Sequence, residues 1–241
     1  MVEHRGRTLN RIPQFDERSR GFAAVSPDDK RPFRNRLWKC NTYLDQGREG
    51  ACVGFAWAHE LASMPKPIPV TADTALGIYR SAQKIDPWPG EDYSGTSVLA
   101  GVKIVQQRLN SMGKPLIKEY RWAFGVEDVL RVIGYAGPLV LGIEWQDSFY
   151  EPDANGQIWL SDKPVGGHAI LAKGVDITPV AGVDSPTKLS DIDIHKSKVR
   201  LHNSWGAEYG VGGDCFISVH DLNHLLSKGG EACIPVKRSK E

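Results

Sequence analysis

No apolar run in the 241 residues approaches the ~20 needed to span a bilayer; the longest are Gly137–Ile143 and Ala51–Ala58. The opening Met1-Val2-Glu3-His4-Arg5-Gly6-Arg7 carries charge with no apolar stretch behind it, so it does not read as a secretory signal. Neither sign of charge is in excess: 30 Lys and Arg against 29 Asp and Glu leave +1, which excludes a chain-wide affinity for polyanions. Cysteine is scarce. Cys40, Cys52, Cys215 and Cys233 are too few to scaffold a chain this long, and without a signal peptide the expectation is reduced thiols in a cytoplasmic protein. A Cys215–Cys233 disulfide stays open at this level. Internal repeats and low-complexity segments are absent. Membrane-spanning, collagen-like, disordered and disulfide-scaffold classes are thereby set aside.

The charge that is present is unevenly placed. Residues 1–39 hold ten Lys or Arg and five Asp or Glu, so this stretch carries +5 and the remaining 202 residues −4. A basic arm of this kind can bind acidic partners, but the simpler expectation is a solvated segment lying over the body, with no nucleic-acid partner. A helical pattern starts at Ala51 and runs through Phe55, Ala58, His59 and Ala62, ended by Met64-Pro65-Lys66-Pro67-Ile68-Pro69. Further helical patterns cover about 73–84, 96–110 and 126–135. After Gly137-Pro138 the texture changes. Leu139–Trp145, Gly156–Leu160, His168–Val175, Lys198–His202, Cys215–Val219 and Ala232–Val236 read as short strands, with one short helix over His220–Leu226. Asp176–Ser197 reads as a long exposed loop. Helices first and strands later indicate an α+β protein of two lobes: an arm over 1–36, a helical lobe over 37–136 and a β-rich lobe over 137–241. A cleft between such lobes suits a site assembled from both.

Three segments carry chemistry. Cys52 stands at the start of the first helix, where unpaired N–H groups and the positive dipole end favour a thiolate. In Gly166-Gly167-His168-Ala169-Ile170-Leu171-Ala172, two glycines lead into a strand headed by a histidine. In His202-Asn203-Ser204-Trp205-Gly206, Asn203 follows a strand and could orient an imidazole while Trp205 shields the bond from water. Each segment alone has a bland reading: a small buried thiol, a locally satisfied histidine, a turn. His220 and His224, four apart on the short helix, do not amount to a metal site, and no metal or other cofactor is expected.

Taken together, Gln46-Gly47 ahead of Cys52, then Gly167-His168, then Asn203-Ser204-Trp205-Gly206 resemble the papain-like cysteine peptidases over about residues 37–236. The resemblance implies a two-lobed fold and a thiol-dependent hydrolase acting on a peptide or protein substrate. In it Cys52 attacks the peptide carbonyl and His168 shuttles the proton. Asn203 holds the His168 ring, and Gln46 with the Cys52 N–H forms the oxyanion hole. One oxyanion donor is worth about 2.7–4 kcal/mol of barrier, so replacing Gln46 is expected to slow turnover by roughly a hundred-fold or more. Ser94-Gly95 corresponds to glycines that pair with substrate backbone in the family, making Gly95 a candidate substrate contact.

The departures matter as well. Arg48 and Glu49 stand where the family usually has a disulfide cysteine; Ala51 replaces a serine and Val53 a tryptophan. These features look more like bacterial and phage members than lysosomal ones. Ile12-Pro13-Gln14-Phe15-Asp16-Glu17-Arg18 resembles a mature start, so no inhibitory domain is expected ahead of it, and either narrow specificity or the basic arm is expected to supply restraint. Two other readings are carried: an amidase or transferase acting on isopeptide or cell-wall amides, and a catalytically silent binding or assembly module. The sequence leaves the oligomeric state open.

Overall fold

Ten consecutive residues, Cys52–Leu61, form helix α1, and every one of them is buried. A helix buried on all sides, its polar His59 and Glu60 included, stands at the centre of the fold. It packs on α2 (Ala72–Gln83) and α3 (Val98–Gln107), whose starts are set by side-chain caps: Thr71 Oγ1 accepts from the Thr74 N–H at 3.3 Å and Ser97 Oγ from the Ala100 N–H at 2.9 Å. The computed structural model describes residues 2–4, 6–88 and 94–236. Among them, no helix is long and apolar enough to cross a membrane.

Among the described residues ten strands follow in order: β1 (Val2–His4), β2 (Arg7–Leu9), β3 (Arg36–Leu37), β4 (Glu119–Trp122), β5 (Leu139–Gln146), β6 (Gln157–Ile158), β7 (Pro164–Asp176), β8 (Lys198–His202), β9 (Asp214–Ser218) and β10 (Glu231–Val236). β1 and β2 form a hairpin. The rest form one sheet in the order β4-β10-β5-β7-β8-β9-β6, with β3 paired to β7; every ladder is antiparallel except β6–β9. Helices α4 (Val126–Tyr135) and α5 (Val219–Ser227) complete the α+β architecture.

Strand alternation divides the core. On β7, Ala169 and Leu171 pack with α1 and α3, whereas Ile170 and Ala172 pack with α4 and α5. His168 therefore stands at the boundary between the two cores, opposite Ile143 of β5.

The helix over 126–135 and the strand over Lys198–His202 run as the sequence pattern predicts; the other elements shift at their ends by up to a few residues. The structure adds three details to that reading. Glu119–Trp122 is a strand, paired with β10, though its Glu-Tyr-Arg-Trp run has little apolar signal. The 176–197 stretch is a largely exposed loop, as expected, but it is pinned at points: the Phe33 N–H donates to the Pro186 carbonyl at 2.7 Å, the Leu189 N–H to Glu127 Oε1 at 3.1 Å, and Ile192 is buried. The four cysteines are free thiols, so Cys215 and Cys233 do not pair.

Candidate active site

Cys52 is the first residue of α1 and is fully buried. Burial pushes its thiol pKa up, while the backbone of Ala169, Asn10 and Val53 and the charge of Arg11 pull the other way. His168 Nε2 lies 2.8 Å from Asn203 Oδ1, and that oxygen also accepts from the Ser204 N–H at 2.8 Å. An acceptor on Nε2 means that this nitrogen carries the proton in the neutral ring, leaving Nδ1 bare; Nδ1 has no hydrogen-bond partner. Burial pushes the His168 pKa down to about 4 against the opposing effect of Asn203. Two indoles enclose the ring, Trp145 at 4.5 Å and Trp205 at 5.3 Å between centroids. Trp205, the residue expected to shield the His–Asn pair, and Trp145 thus stand on either hand of the ring.

Gln46 belongs to a loop tied to the segment that follows Asn203. The Gln46 N–H donates to the Ser204 carbonyl at 2.9 Å, and the Gly206 N–H donates to the Leu44 carbonyl at 3.2 Å. Ser204 Oγ donates to Gln46 Oε1 at 2.6 Å, which fixes the amide so that Nε2 turns away from Ser204. That Nε2 donates to the Glu49 carbonyl at 2.8 Å and to the Thr8 carbonyl at 3.1 Å.

Thr8 is part of the basic arm, most of which over 13–36 is exposed, but the stretch around Thr8 is not a solvated cover. Residues 8–12 run extended between the two walls of the site, with Thr8, Leu9 and Arg11 buried. The Arg11 N–H donates to the Gly167 carbonyl at 2.9 Å, the Ile12 N–H to the Thr96 carbonyl at 2.9 Å, and the Thr96 N–H to the Asn10 carbonyl at 3.3 Å. Gly95 thus sits beside a backbone ladder, although the hydrogen bonds to the arm come from Thr96. A Cβ on Gly95 would fall 2.0 Å from the Asn10 carbonyl oxygen and one on Gly167 2.1 Å from that of Arg11, so both walls need glycine for the arm to approach this closely.

Behind the site lies a second buried polar cluster. Asp214 accepts from Arg200 Nε at 2.6 Å, Lys173 Nζ at 2.8 Å and His202 Nδ1 at 2.6 Å, and His202 Nε2 donates to the Thr42 carbonyl at 2.9 Å. The Asp214 and Cys40 partners raise the His202 pKa against its burial. This anchors the residue before Asn203 to the loop that leads to Gln46. Among the described residues, no group of three or more His, Cys, Asp or Glu could hold a metal ion.

The cysteine protease xylellain from Xylella fastidiosa matches 99% of this chain over 100% of its own, with a TM-score of 0.69 at 20% identity. The fold is papain-like. A structure concerning the mite allergens Blo t 1 and Der p 1 covers 89% of this chain and 74% of its own (TM-score 0.54, 15% identity). Digestive procathepsin L 3 from the larval midgut of Tenebrio molitor covers 97% and 76% (TM-score 0.55, 15% identity). At such identities the likeness concerns the papain-like fold alone. No protein-family model and no curated protein sequence matches the chain.

Within this papain-like frame, His168 is bonded to Asn203 and flanked by Trp205, Gln46 is tied to Ser204, Gly95 meets Asn10, and Cys52 lies against the backbone of Ala169 and Asn10; no Cys52–His168 hydrogen bond is found among the described residues. Sequence reading missed the arm's Thr8 to Arg11, Ser204's hold on Gln46, and Glu231. The available signals were the apolar Leu9 and Ile12 within a polar arm and a lone acid opening the apolar strand Glu231–Val236.

Proposed function

We propose that this chain is a thiol-dependent peptidase held latent by its own N-terminal arm. In the reaction, Cys52 Sγ attacks the peptide carbonyl and its proton passes to His168 Nδ1, forming an acyl-enzyme once the imidazolium has protonated the leaving amine. Water then hydrolyses the thioester, with His168 acting in turn as base. Asn203 keeps Nδ1 turned toward the sulfur by holding Nε2. The Gln46 amide and the Cys52 N–H receive the developing oxyanion.

The observation that carries this reading is the arm itself: an extended peptide, residues 8–12, hydrogen-bonded along both walls with its backbone against the Cys52 sulfur. A groove that accepts main chain in this way suits a peptide better than an isolated cell-wall amide. The neutral thiol and neutral imidazole favoured by burial suit a resting form, in which the reactive ion pair waits for the arm to leave.

The test uses full-length protein carrying Leu9→Asp, which places a charge where the arm buries an apolar side chain. A limiting thiol-reactive epoxide is expected to label Cys52 ahead of Cys40, Cys215 and Cys233, and the variant is expected to cleave fluorogenic peptides. Adding His168→Ala should abolish the selectivity, and Cys52→Ser the cleavage. Slow, unselective labelling without peptide cleavage would instead favour a silent binding module.

A further inference from the structure

The loop that carries Gln46 and the strand that ends just before Asn203 are distant pieces of chain, and two buried histidines tie them together. His202, the last residue of β8, is fully buried. Its Nε2 lies 2.9 Å from the Thr42 carbonyl and its Nδ1 2.6 Å from Asp214 Oδ1. A carbonyl only accepts, so Nε2 carries a proton and donates it to Thr42. His59 of α1 makes the second tie at Leu44, where its Nε2 accepts from the main-chain N–H at 3.1 Å. The two imidazoles meet edge to face at 4.6 Å between centroids. From Leu44 onward the loop is bonded through main chain to Gly206 and Ser204, which brings it to Gln46.

The groups around His202 fix the direction of its ring. Lys173 Nζ of β7 stands 3.1 Å from Nδ1 and 2.8 Å from Asp214 Oδ1, while Arg200 Nε of β8 donates to the other Asp214 oxygen at 2.6 Å. The Tyr43 ring lies 5.2 Å away, and Cys40 Sγ donates to the His59 carbonyl at 3.5 Å. A buried charge cluster adds little stability over packed apolar side chains, because each ion must first be stripped of water. A fully bonded one does hold each of its donors in a single orientation. The donor that leaves this cluster toward the site is His202 Nε2–H.

We infer that His202 is a positioning residue for the oxyanion hole: its Nε2–H, aimed by Asp214, pins the Thr42 carbonyl and thereby seats the Gln46 loop against the Asn203 segment. This rests on the peptidase reading above. His202 is covalently joined to Asn203 and hydrogen-bonded to the loop of Gln46, so the group that orients His168 and the donor to the oxyanion share one frame. It lies behind the site, so its loss is expected in turnover and not in substrate affinity.

The two ring nitrogens can be tested apart. Glutamine places an amide nitrogen near the position of Nε2, and asparagine one near that of Nδ1. In full-length Leu9→Asp protein, His202→Gln therefore keeps the donor to Thr42, and His202→Asn keeps only the donor to Asp214. With fluorogenic peptides, His202→Asn is expected to lower kcat about tenfold at unchanged KM, and His202→Gln to stay within about threefold. In urea, His202→Gln is expected to be the less stable of the two, because it leaves Asp214 short of a donor. A kcat that follows the urea midpoint in both variants would overturn the inference and leave a structural role. Adding Gln46→Ala should shrink the His202→Asn effect to below about twofold; an undiminished loss would also overturn it. Should His202→Asn fail to fold, His202→Gln decides: turnover kept despite a lowered midpoint upholds the inference, and a loss beyond about tenfold overturns it. If Leu9→Asp cleaves no peptide, the peptidase reading fails by itself, and amide hydrogen exchange over residues 42–46 judges the tether. Faster exchange in His202→Asn than in His202→Gln upholds the seating of the loop, and equal exchange overturns it.

Discussion

The backbone carbonyl of Thr8 accepts a hydrogen bond from the side-chain amide of Gln46 at 3.1 Å. An arm residue thus occupies the donor that the proposed chemistry assigns to an oxyanion. Ser204 holds that amide from the other end, so the donor is oriented while the arm is seated.

Labelling of Cys52 should report the arm through its pH profile. With the thiol pKa raised by burial, only a small thiolate fraction exists near pH 7, and that fraction grows about tenfold per pH unit up to the raised value. Alkylation of the unmodified chain is therefore expected to be slow at pH 6 and to climb steeply toward pH 9. In Leu9→Asp the rate should be high and nearly level from about pH 5 to 8, as for a thiolate–imidazolium pair. Parallel profiles for the two proteins, read by peptide mass spectrometry, would remove the arm as the cause of latency.

Acid should loosen the native state through His168. Its native pKa of about 4 lies below the unfolded value of about 6.5, so protons bind the unfolded chain more tightly. The contribution is complete above pH 6.5 and is lost as pH falls toward 4, a change on the order of 3 kcal/mol. His59, also depressed by burial, acts in the same direction, whereas the raised His202 acts in the opposite one. Urea midpoints at pH 7 and pH 4 should fall further for the unmodified chain than for His168→Gln. Equal falls would show that His168 does not carry the effect.

Ser204→Ala removes the hydroxyl that fixes Gln46 and leaves Gln46 Oε1 buried without that donor, a loss of about 1–3 kcal/mol. In the Leu9→Asp background, kcat is expected to drop about tenfold with KM little changed, because a misdirected oxyanion donor weakens the transition state. A rise in KM alone would place Ser204 in substrate binding instead.

Asp214→Asn should be the most damaging single change in the cluster behind the site. It leaves Lys173, buried, and Arg200 and His202 without their shared carboxylate. Removing one member of a buried charge group costs about 3–5 kcal/mol. Pairing it with Lys173→Met should recover part of the loss in denaturant titrations, and the absence of any recovery would mean that the Lys173–Asp214 contact is not what Asp214 is needed for.

Local pattern in the chain was enough for helices ahead of most strands, for a first helix starting within a residue of Cys52, for α4 over 126–135 and β8 over 198–202, and for marking Cys52, His168 and Asn203 as candidates. These rest on periodicity, caps, prolines and short motifs, all of which act between near neighbours. The path of the arm was beyond that reach, because residues 8–12 are held largely through main-chain pairing, which leaves no mark on residue type. Arg11 and Glu231 stand 220 positions apart, and neither is unusual by itself. Their pairing exists only because β10 lies against β5 and the arm threads the cleft above them. Composition and spacing could therefore name the candidate groups, whereas tertiary packing alone decided which charges share a buried pocket and which segment lies against the thiol.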